Sequence, residues 1–430
     1  MAHEAEWGPV LDSLVEAVDE TGGYGWLVGG CLRDALLSEP VGDVDVALTV
    51  EPLPMAERLV ARLPLGIGRL GHGTIRLSLH NTPEAYLDLT PLQGDDIVSD
   101  LAGRDFTVNA MALPLTLRAQ WLAVMSGQGD TMPSLLDPFG GVADLTARRL
   151  VTVGSETFRA DPGRIIRAAR LLARFGLHPD EGTLRLARGA VPLLVALSPD
   201  RLRSEMAPLL ALPAATDGVA LLQEMGALAA LYLGLTGDAA AHALATLRQL
   251  DRLIGVVDAA PAYFALREWG ASDARRIALR RMALAHAEDD HAGIQAPEPF
   301  WRRALALLVM EDETARFHEA RVLFDRSAKD VAAAADALLV AAACALAIGE
   351  ADAETLAARA DALVAIYLSD RERLIPPPLL KGSDLIAALG APPGPEIGRL
   401  LREVRLAQLL GAVNDRDDAL AFARQLFQAQ

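Results

Sequence analysis

Leu27-Val28-Gly29-Gly30-Cys31-Leu32-Arg33-Asp34, followed by Asp43-Val44-Asp45-Val46, decides the reading of this chain. An apolar run enters a Gly-Gly turn, a helical run follows, and a second strand-like run then presents two aspartates. Side chains alternate across a strand, so Asp43 and Asp45 share one face while Val44 and Val46 share the other. Two neighbouring carboxylates repel each other. Their pairing makes chemical sense around a hard cation such as Mg²⁺, which takes oxygen ligands and leaves room for substrate phosphates. A site of this kind supports phosphoryl or nucleotidyl transfer, with two metals activating a hydroxyl and neutralising a triphosphate and its departing pyrophosphate. Gly29 and Gly30 would let backbone N–H groups approach those phosphates, with the N-terminus of the following helix behind them. Asp-x-Asp alone fits an exposed edge strand with two solvated aspartates better; the Gly-Gly turn and Arg33-Asp34 reverse that balance.

Around this segment the first 150 residues alternate short β-like runs with helical ones. Gly25–Val28, Asp43–Leu48, Thr74–Leu79 and Ala85–Leu89 read as strands, and helices are expected at about 9–20, 31–38 and 53–63. From about residue 158 onward Leu, Ala, Arg and Glu at helical spacing dominate. The expected fold is therefore an α+β head with a mixed sheet, followed by an all-α neck, body and tail. The divisions expected are 1–146, 147–215, 216–372 and 373–430. Breaks are expected near Val191-Pro192, at Gly234 to Gly237, around His291 to Pro299, and at the proline runs beginning at Pro376 and Pro392.

The chain has 430 residues, 52% of them hydrophobic, enough for cores in several domains and incompatible with a wholly disordered protein. Its net charge of −17 argues against nonspecific coating of DNA and against a basic membrane-surface protein, so any nucleic-acid contact needs a local patch. Cys31 and Cys344 are far apart and no Cys/His cluster exists, which indicates neither a disulfide framework nor zinc. Met1 to Trp7 carries His3, Glu4 and Glu6, unlike an export signal. The longest apolar stretch, Val331 to Ile348, is interrupted by Asp336, is more than half alanine, and reads as a buried helix and not as a membrane span. A cytoplasmic protein is expected.

One later helix is strongly marked. Asp161 reads as its N-cap, Pro162 as its first residue and Gly176 as its stop. At helical spacing Arg164, Arg167, Arg170 and Arg174 fall on one side, opposite Ile165, Ile166, Ala169, Leu172 and Ala173. The run holds no acid after Asp161, whereas a merely solvated face mixes signs, so the stripe reads as a phosphate or nucleotide surface. Between residues 147 and 203 there are eleven arginines against five acids, the local positive strip that an RNA backbone requires.

The first motif resembles that of class II tRNA nucleotidyltransferases and bacterial poly(A) polymerases. The resemblance implies a polymerase-beta-like nucleotidyltransferase head. In it Asp43 and Asp45 ligate Mg²⁺, and Gly29, Gly30 and Arg33 meet the incoming nucleotide. Asp88, in Tyr86-Leu87-Asp88-Leu89, stands where polymerase-like sites often carry a third carboxylate; a strand-end aspartate making local hydrogen bonds is the alternative. Asp100-Leu101-Ala102-Gly103-Arg104-Asp105-Phe106-Thr107-Val108-Asn109-Ala110-Met111-Ala112 resembles the second motif, with Gly103 in place of its first arginine and Arg104 retained to clamp ribose or phosphate oxygens. Leu136 to Gly141, followed by Asp144-Leu145, resembles the connector from head to neck and is expected to be structural. Ala160-Asp161-x-x-Arg164 resembles the Glu-Asp-x-x-Arg segment that selects C or A. Ala160 replaces the glutamate, and Arg167 and Arg170 lie towards the triphosphate.

His242 and the helix Ile277 to Asp289 faintly resemble an HD phosphohydrolase domain. No His-Asp dipeptide exists, so a degenerate domain is expected. Leu379 to Leu385 and Pro392 to Leu401 resemble the C-terminal segment of bacterial tRNA nucleotidyltransferases. The resemblance implies addition of CCA, from CTP and ATP, to the tRNA 3′ end. One departure bears on the product. Only Thr90 to Ser99 bridges the third strand-end aspartate and the second motif, where CCA-adding members carry a longer flexible loop and CC-adding relatives a shortened one. CC-adding or A-adding enzymes, a poly(A) polymerase and a catalytically silent tRNA-binding protein remain the alternatives.

Overall fold

Six strands build the head: β1 (Gly25–Val28), β2 (Asp43–Leu48), β3 (Leu65–Arg69), β4 (Ile75–Leu79), β5 (Thr82–Pro91) and β6 (Ala112–Pro114). They form one sheet in the order β3-β4-β5-β2-β1-β6. The β2–β5 pair is parallel and every other pair antiparallel, which makes the sheet mixed as expected. The computed structural model describes residues 4–79, 82–232, 235–255, 263–291, 300–326, 332–349 and 352–428. Two of the strands were not read from the sequence. β3 is Leu-Gly-Ile-Gly-Arg, whose glycines hide strand character, and β6 has only three residues.

Helices α1 (Glu4–Asp19), α2 (Gly30–Leu36), α3 (Pro52–Arg62), α4 (Ile97–Ala102) and α5 (Arg118–Met125) accompany the sheet. Alternation along β2 divides its two faces. Val44, Val46 and Leu48 join Trp7, Leu11 and Leu14 of α1, Leu32 of α2, Met55 and Leu59 of α3 and Trp121 of α5 in the main core. The indole N–H of Trp121 donates to the Cys31 carbonyl at 3.1 Å, pinning α2 beneath the Gly-Gly turn. On the opposite face Val28 and Ala47 meet Ile97, Leu101, Ala110 and Ala112. Asp43 and Asp45 stand at the start of β2, Asp43 exposed and Asp45 half-buried.

The connector comprises α6 (Gly141–Thr146), on whose first turn Asp137 accepts from the Gly141 and Val142 N–H groups. A Cβ on Gly141 would come within 2.2 Å of the Thr107 carbonyl oxygen, so only glycine lets this helix close on the second motif. Then follow α7 (Thr157–Ala160), α8 (Arg164–Phe175), α9 (Glu181–Ala190) and α10 (Pro199–Ala211). A two-residue parallel bridge between Arg149–Leu150 and His178–Pro179 is the sheet structure found beyond the head.

The chain divides into two compact units, Met1–Glu205 and Met206–Gln430. Every regular element among the described residues of the second is a helix. Its helix Ala332–Ile348 is buried nearly all round, as the apolar stretch implied; Val331 lies outside the described residues. No described helix is long and apolar enough to cross a membrane. Arg280 is fully buried and donates to Asp251 at 2.8 and 2.6 Å and to the carbonyls of Leu210, Leu212 and Pro213, which ties the helices Gly237–Leu253 and Asp273–His291 to one turn. The breaks expected at Gly234 to Gly237 and His291 to Pro299 fall partly outside the described residues, as do the side chains from His286 to His291.

Candidate active site

The site begins at the turn between β1 and α2. Gly29 has φ +78°, a left-handed conformation that costs an L side chain strain. A Cβ there would also lie 2.6 Å from Nη1 of Arg104 and 3.8 Å from an Asp45 carboxylate oxygen. The backbone angle favours glycine here, and any side chain would also have to displace the tip of the second motif's arginine. Arg104 reaches this position because Asp100, buried on α4, accepts from its Nε at 3.2 Å and its Nη2 at 3.0 Å.

Asp45 and Asp43 lie on the site face of β2, and parallel register sets Asp88 of β5 beside Asp45. Loss of solvation is the main reason that the Asp45 carboxyl is pushed up to about 6; Asp88 and Asp43 add repulsion, while Arg104 and Arg76 oppose the rise. Asp43 is raised too, again by burial first, with Asp88 adding and Arg76 opposing. Two hard oxygen donors whose charges are mutually unfavourable fit a divalent cation of the magnesium type. Among the described residues no group of three or more His, Cys, Asp and Glu is arranged to hold a metal. Asp88 accounts for part of this: Arg76 of β4 donates to its two oxygens at 2.8 and 2.6 Å. Cys31, beneath the turn, is buried, and burial pushes its thiol up to about 12, so it stays protonated and inert.

The second motif and α8 close the site from another side. Arg33 was expected at the nucleotide. Its guanidinium donates to Asp34 at 2.7 and 2.5 Å and to the Asn109 side-chain oxygen at 2.5 Å, and it lies 4.6 Å from the centre of the Phe175 ring. In this structure it is a strut joining the first motif, the second motif and the end of α8. Asp105 accepts from the Asn109 amide, the Phe106 N–H and Arg167. Burial alone would raise the Asp105 carboxyl, but Arg167 and these hydrogen bonds outweigh it and hold it below its ordinary value.

The α8 boundaries differ from the reading at one end. Gly176 is left-handed and stops the helix as expected. At its start Gly163 occupies the cap position, and Asp161 sits outside it, accepting from the Gly163 N–H at 2.9 Å and from Arg201 at 2.7 Å. Asp161 is extended and its side chain still meets an N–H two residues on, as a capping aspartate does, although regular α-helix begins only at Arg164.

The arginine side of α8 contains no acid of its own, but the fold brings acids to it. Glu205 of α10, whose side chain is only 3% exposed, pairs with Arg167 at 2.8 Å, Arg170 at 3.3 Å and Arg201 at 3.0 Å. Arg174 approaches Asp34 at 3.5 Å, and Arg164 donates to the carbonyls of Gly103 and Thr157. Burial lowers the Arg170 guanidinium, with Glu205 opposing, whereas for Arg167 Asp105 and Glu205 together outweigh burial and raise it. The Nε groups of Arg164, Arg167 and Arg170 are buried without a hydrogen-bond partner. The stripe is therefore a clamped array with donors still unused.

The structure brings together Gly29, Gly30, Arg33, Asp43, Asp45, Asp88 and Arg104, and links Asp161, Arg167 and Arg170 through Arg201 and Glu205. Sequence reasoning missed Arg76 and Glu205, and gave no role of their own to Asn109, inside the second motif, and Arg201, inside the basic strip. Only the Arg201-x-x-x-Glu205 spacing, one helical turn, offered a local signal.

Residues 25–151 match the family described as Poly A polymerase head domain. A CC-adding tRNA nucleotidyltransferase of Geobacter sulfurreducens is 33% identical over 434 residues, covering 95% of this chain and 94% of that protein. A CC-adding tRNA nucleotidyltransferase of Deinococcus radiodurans is 34% identical over 60% of this chain and 70% of its own length. A CCA-adding enzyme of Geobacillus thermodenitrificans is 29% identical over 50% of this chain and 52% of its own. A CCA-adding enzyme solved in complex with ATP superposes with a TM-score of 0.67 at 20% identity, covering 99% of this chain and 96% of that one, which shows a shared fold.

Proposed function

Because the chain belongs to the tRNA nucleotidyltransferase family, we propose that it transfers CMP from CTP to the 3′ end of tRNA, with release of pyrophosphate, and stops after two cytidines. The observation that carries the product is the connection from β5 to α4. β5 ends at Pro91 and α4 starts at Ile97. The intervening residues are tied down: Leu92 N–H to the Leu48 carbonyl at 2.8 Å, Gln93 N–H to Asp100 at 3.0 Å, and Ser99 N–H to Asp96 at 2.8 Å. The connection, residues 92–96, is shorter than the flexible loop that the family's resemblance associates with adding the terminal A. The two relatives named CC-adding support the same reading.

Asp43 and Asp45 would hold Mg²⁺, which when bound supplies activation of the primer's 3′ hydroxyl and neutralisation of the triphosphate. The chain's own residues do the rest. The Gly29-Gly30 turn admits the triphosphate close to the backbone, and Arg104, braced by Asp100, presents Nη1 beside it. Asp161 and Arg164 offer an acceptor and a donor to the Watson–Crick edge of the incoming base. Arg167 and Arg170, fixed by Glu205, meet phosphate oxygens with preorganised charge. The positive strip of the neck takes the acceptor-stem backbone.

Retention of both Asp161 and Arg164 favours one second reading, full CCA addition from CTP and ATP. Two tRNA transcripts separate these, one ending at the discriminator base and one ending in CC, each given labelled CTP and ATP with Mg²⁺. The proposal expects CC on the first and no A on the second. CCA on the first would establish the second reading, and a long A tail or no incorporation would overturn both.

A further inference from the structure

β4, β5 and β2 align three side chains in one row: Arg76 opposite Asp88, and Asp88 opposite Asp45. The Arg76 guanidinium grips Asp88 with two hydrogen bonds, Nε to Oδ1 at 2.8 Å and Nη2 to Oδ2 at 2.6 Å, a fork-to-fork geometry. A second contact holds it there, since its central carbon lies 4.5 Å from the centre of the Tyr86 ring on the same strand face. Asp88 is 12% exposed and Arg76 35%. The guanidinium is thus fixed between a carboxylate and a ring, at the solvent side of a buried acid.

A carboxylate next to a divalent site either joins the coordination shell or is kept out of it by a competing cation. Two negative neighbours already crowd Asp45, and Asp88 is one of them. We infer, on the reading proposed above, that Arg76 is a positioning residue which withholds Asp88 from the metal, so that the ion is held by the Asp43–Asp45 pair while Asp88 contributes only as half of an ion pair. Both Asp88 oxygens accept from Arg76, and a ligating Asp88 would have to release at least one of them and separate Arg76 from Tyr86. The arrangement also limits charge: Arg76 at one end of the row and Arg104 at the other keep three clustered acids from excluding a triphosphate.

The test is binding of Mn²⁺ alone, without nucleotide, by electron paramagnetic resonance of the full chain, alongside CMP incorporation. Asp45→Asn should weaken Mn²⁺ by more than tenfold. Asp88→Asn should change it by less than about threefold. Arg76→Gln frees Asp88 and should tighten Mn²⁺ several-fold, and the double variant Arg76→Gln/Asp88→Asn should return it to the wild-type value. A merely structural cross-strand pair would leave Mn²⁺ affinity unmoved in Arg76→Gln, and that result overturns the inference. So does a loss in Asp88→Asn as large as in Asp45→Asn. The double variant restores neutrality in the row, so a fault of folding in either single variant does not decide the outcome. Wild-type CMP incorporation with no Arg76 effect on Mn²⁺ overturns this inference and leaves the proposed reaction standing.

Discussion

Gly29 carries two constraints at one residue, a φ of +78° and an arginine nitrogen 2.6 Å from where a Cβ would be. Gly29→Ala should therefore lower stability by about 1–2 kcal/mol and displace Arg104, raising the KM for CTP more than it lowers kcat; equilibrium denaturation and steady-state kinetics check both. Glu205 is the opposite case, a residue invisible to the sequence reading that three arginines surround. Glu205→Gln leaves Arg167, Arg170 and Arg201 facing one another. The three are about one-third exposed, so solvent moderates the penalty, and a loss of about 2 kcal/mol is expected. The kcat/KM for CTP should fall by more than tenfold. Restoration by Glu205→Asp, even in part, would show that charge and not volume is what the site needs.

At the scale of elements, the second motif and α8 are joined through Asp105 and Arg167. The Asp105 carboxyl is held below its ordinary value in the folded chain. Its stabilising contribution is therefore fully present above the unfolded value, about 3.9, and is lost as pH falls through the lower folded value. The stability gap between wild type and Asp105→Asn should be constant from pH 5 to 7 and close progressively below about pH 3.9; urea titrations across that range measure it. A gap that persists unchanged into acid would mean that the Asp105 carboxylate is not the stabilising partner. The same elements show what was legible. β2 and the glycine turn announced themselves because strand alternation and a Gly-Gly turn are local signals. β3 was missed because its alternate glycines erase that alternation, and Asp161 keeps a capping contact to the Gly163 N–H although the regular turns of α8 begin only at Arg164.

For the whole molecule, strand-like and helical spacing gave the mixed-sheet head and the helical remainder, because each depends on a pattern repeated over many residues. What it could not give were pairings between distant strands and helices, Arg76 with Asp88 and Arg167 with Glu205, since a single sequence holds no record of which surfaces meet. In the second unit the buried pair Arg280–Asp251 is such a pairing. Arg280→Met would leave the Asp251 carboxylate and three carbonyls without their donor and should destabilise Met206–Gln430 by about 3–5 kcal/mol. Amide hydrogen exchange should then accelerate throughout the helix Gly237–Leu253, and unchanged protection there would contradict the assignment.

We propose that the Asp43–Asp45 pair performs nucleotidyl transfer at a tRNA end. Single-turnover incorporation of labelled CMP into a tRNA ending at the discriminator base, measured for wild type and Asp45→Asn together with the Kd of each for that tRNA, tests it most directly. The account predicts a loss of rate of at least about a hundredfold in the variant, with the Kd for tRNA changed by less than about threefold. Incorporation by Asp45→Asn within tenfold of wild type, or no incorporation by the wild-type chain itself, would contradict it.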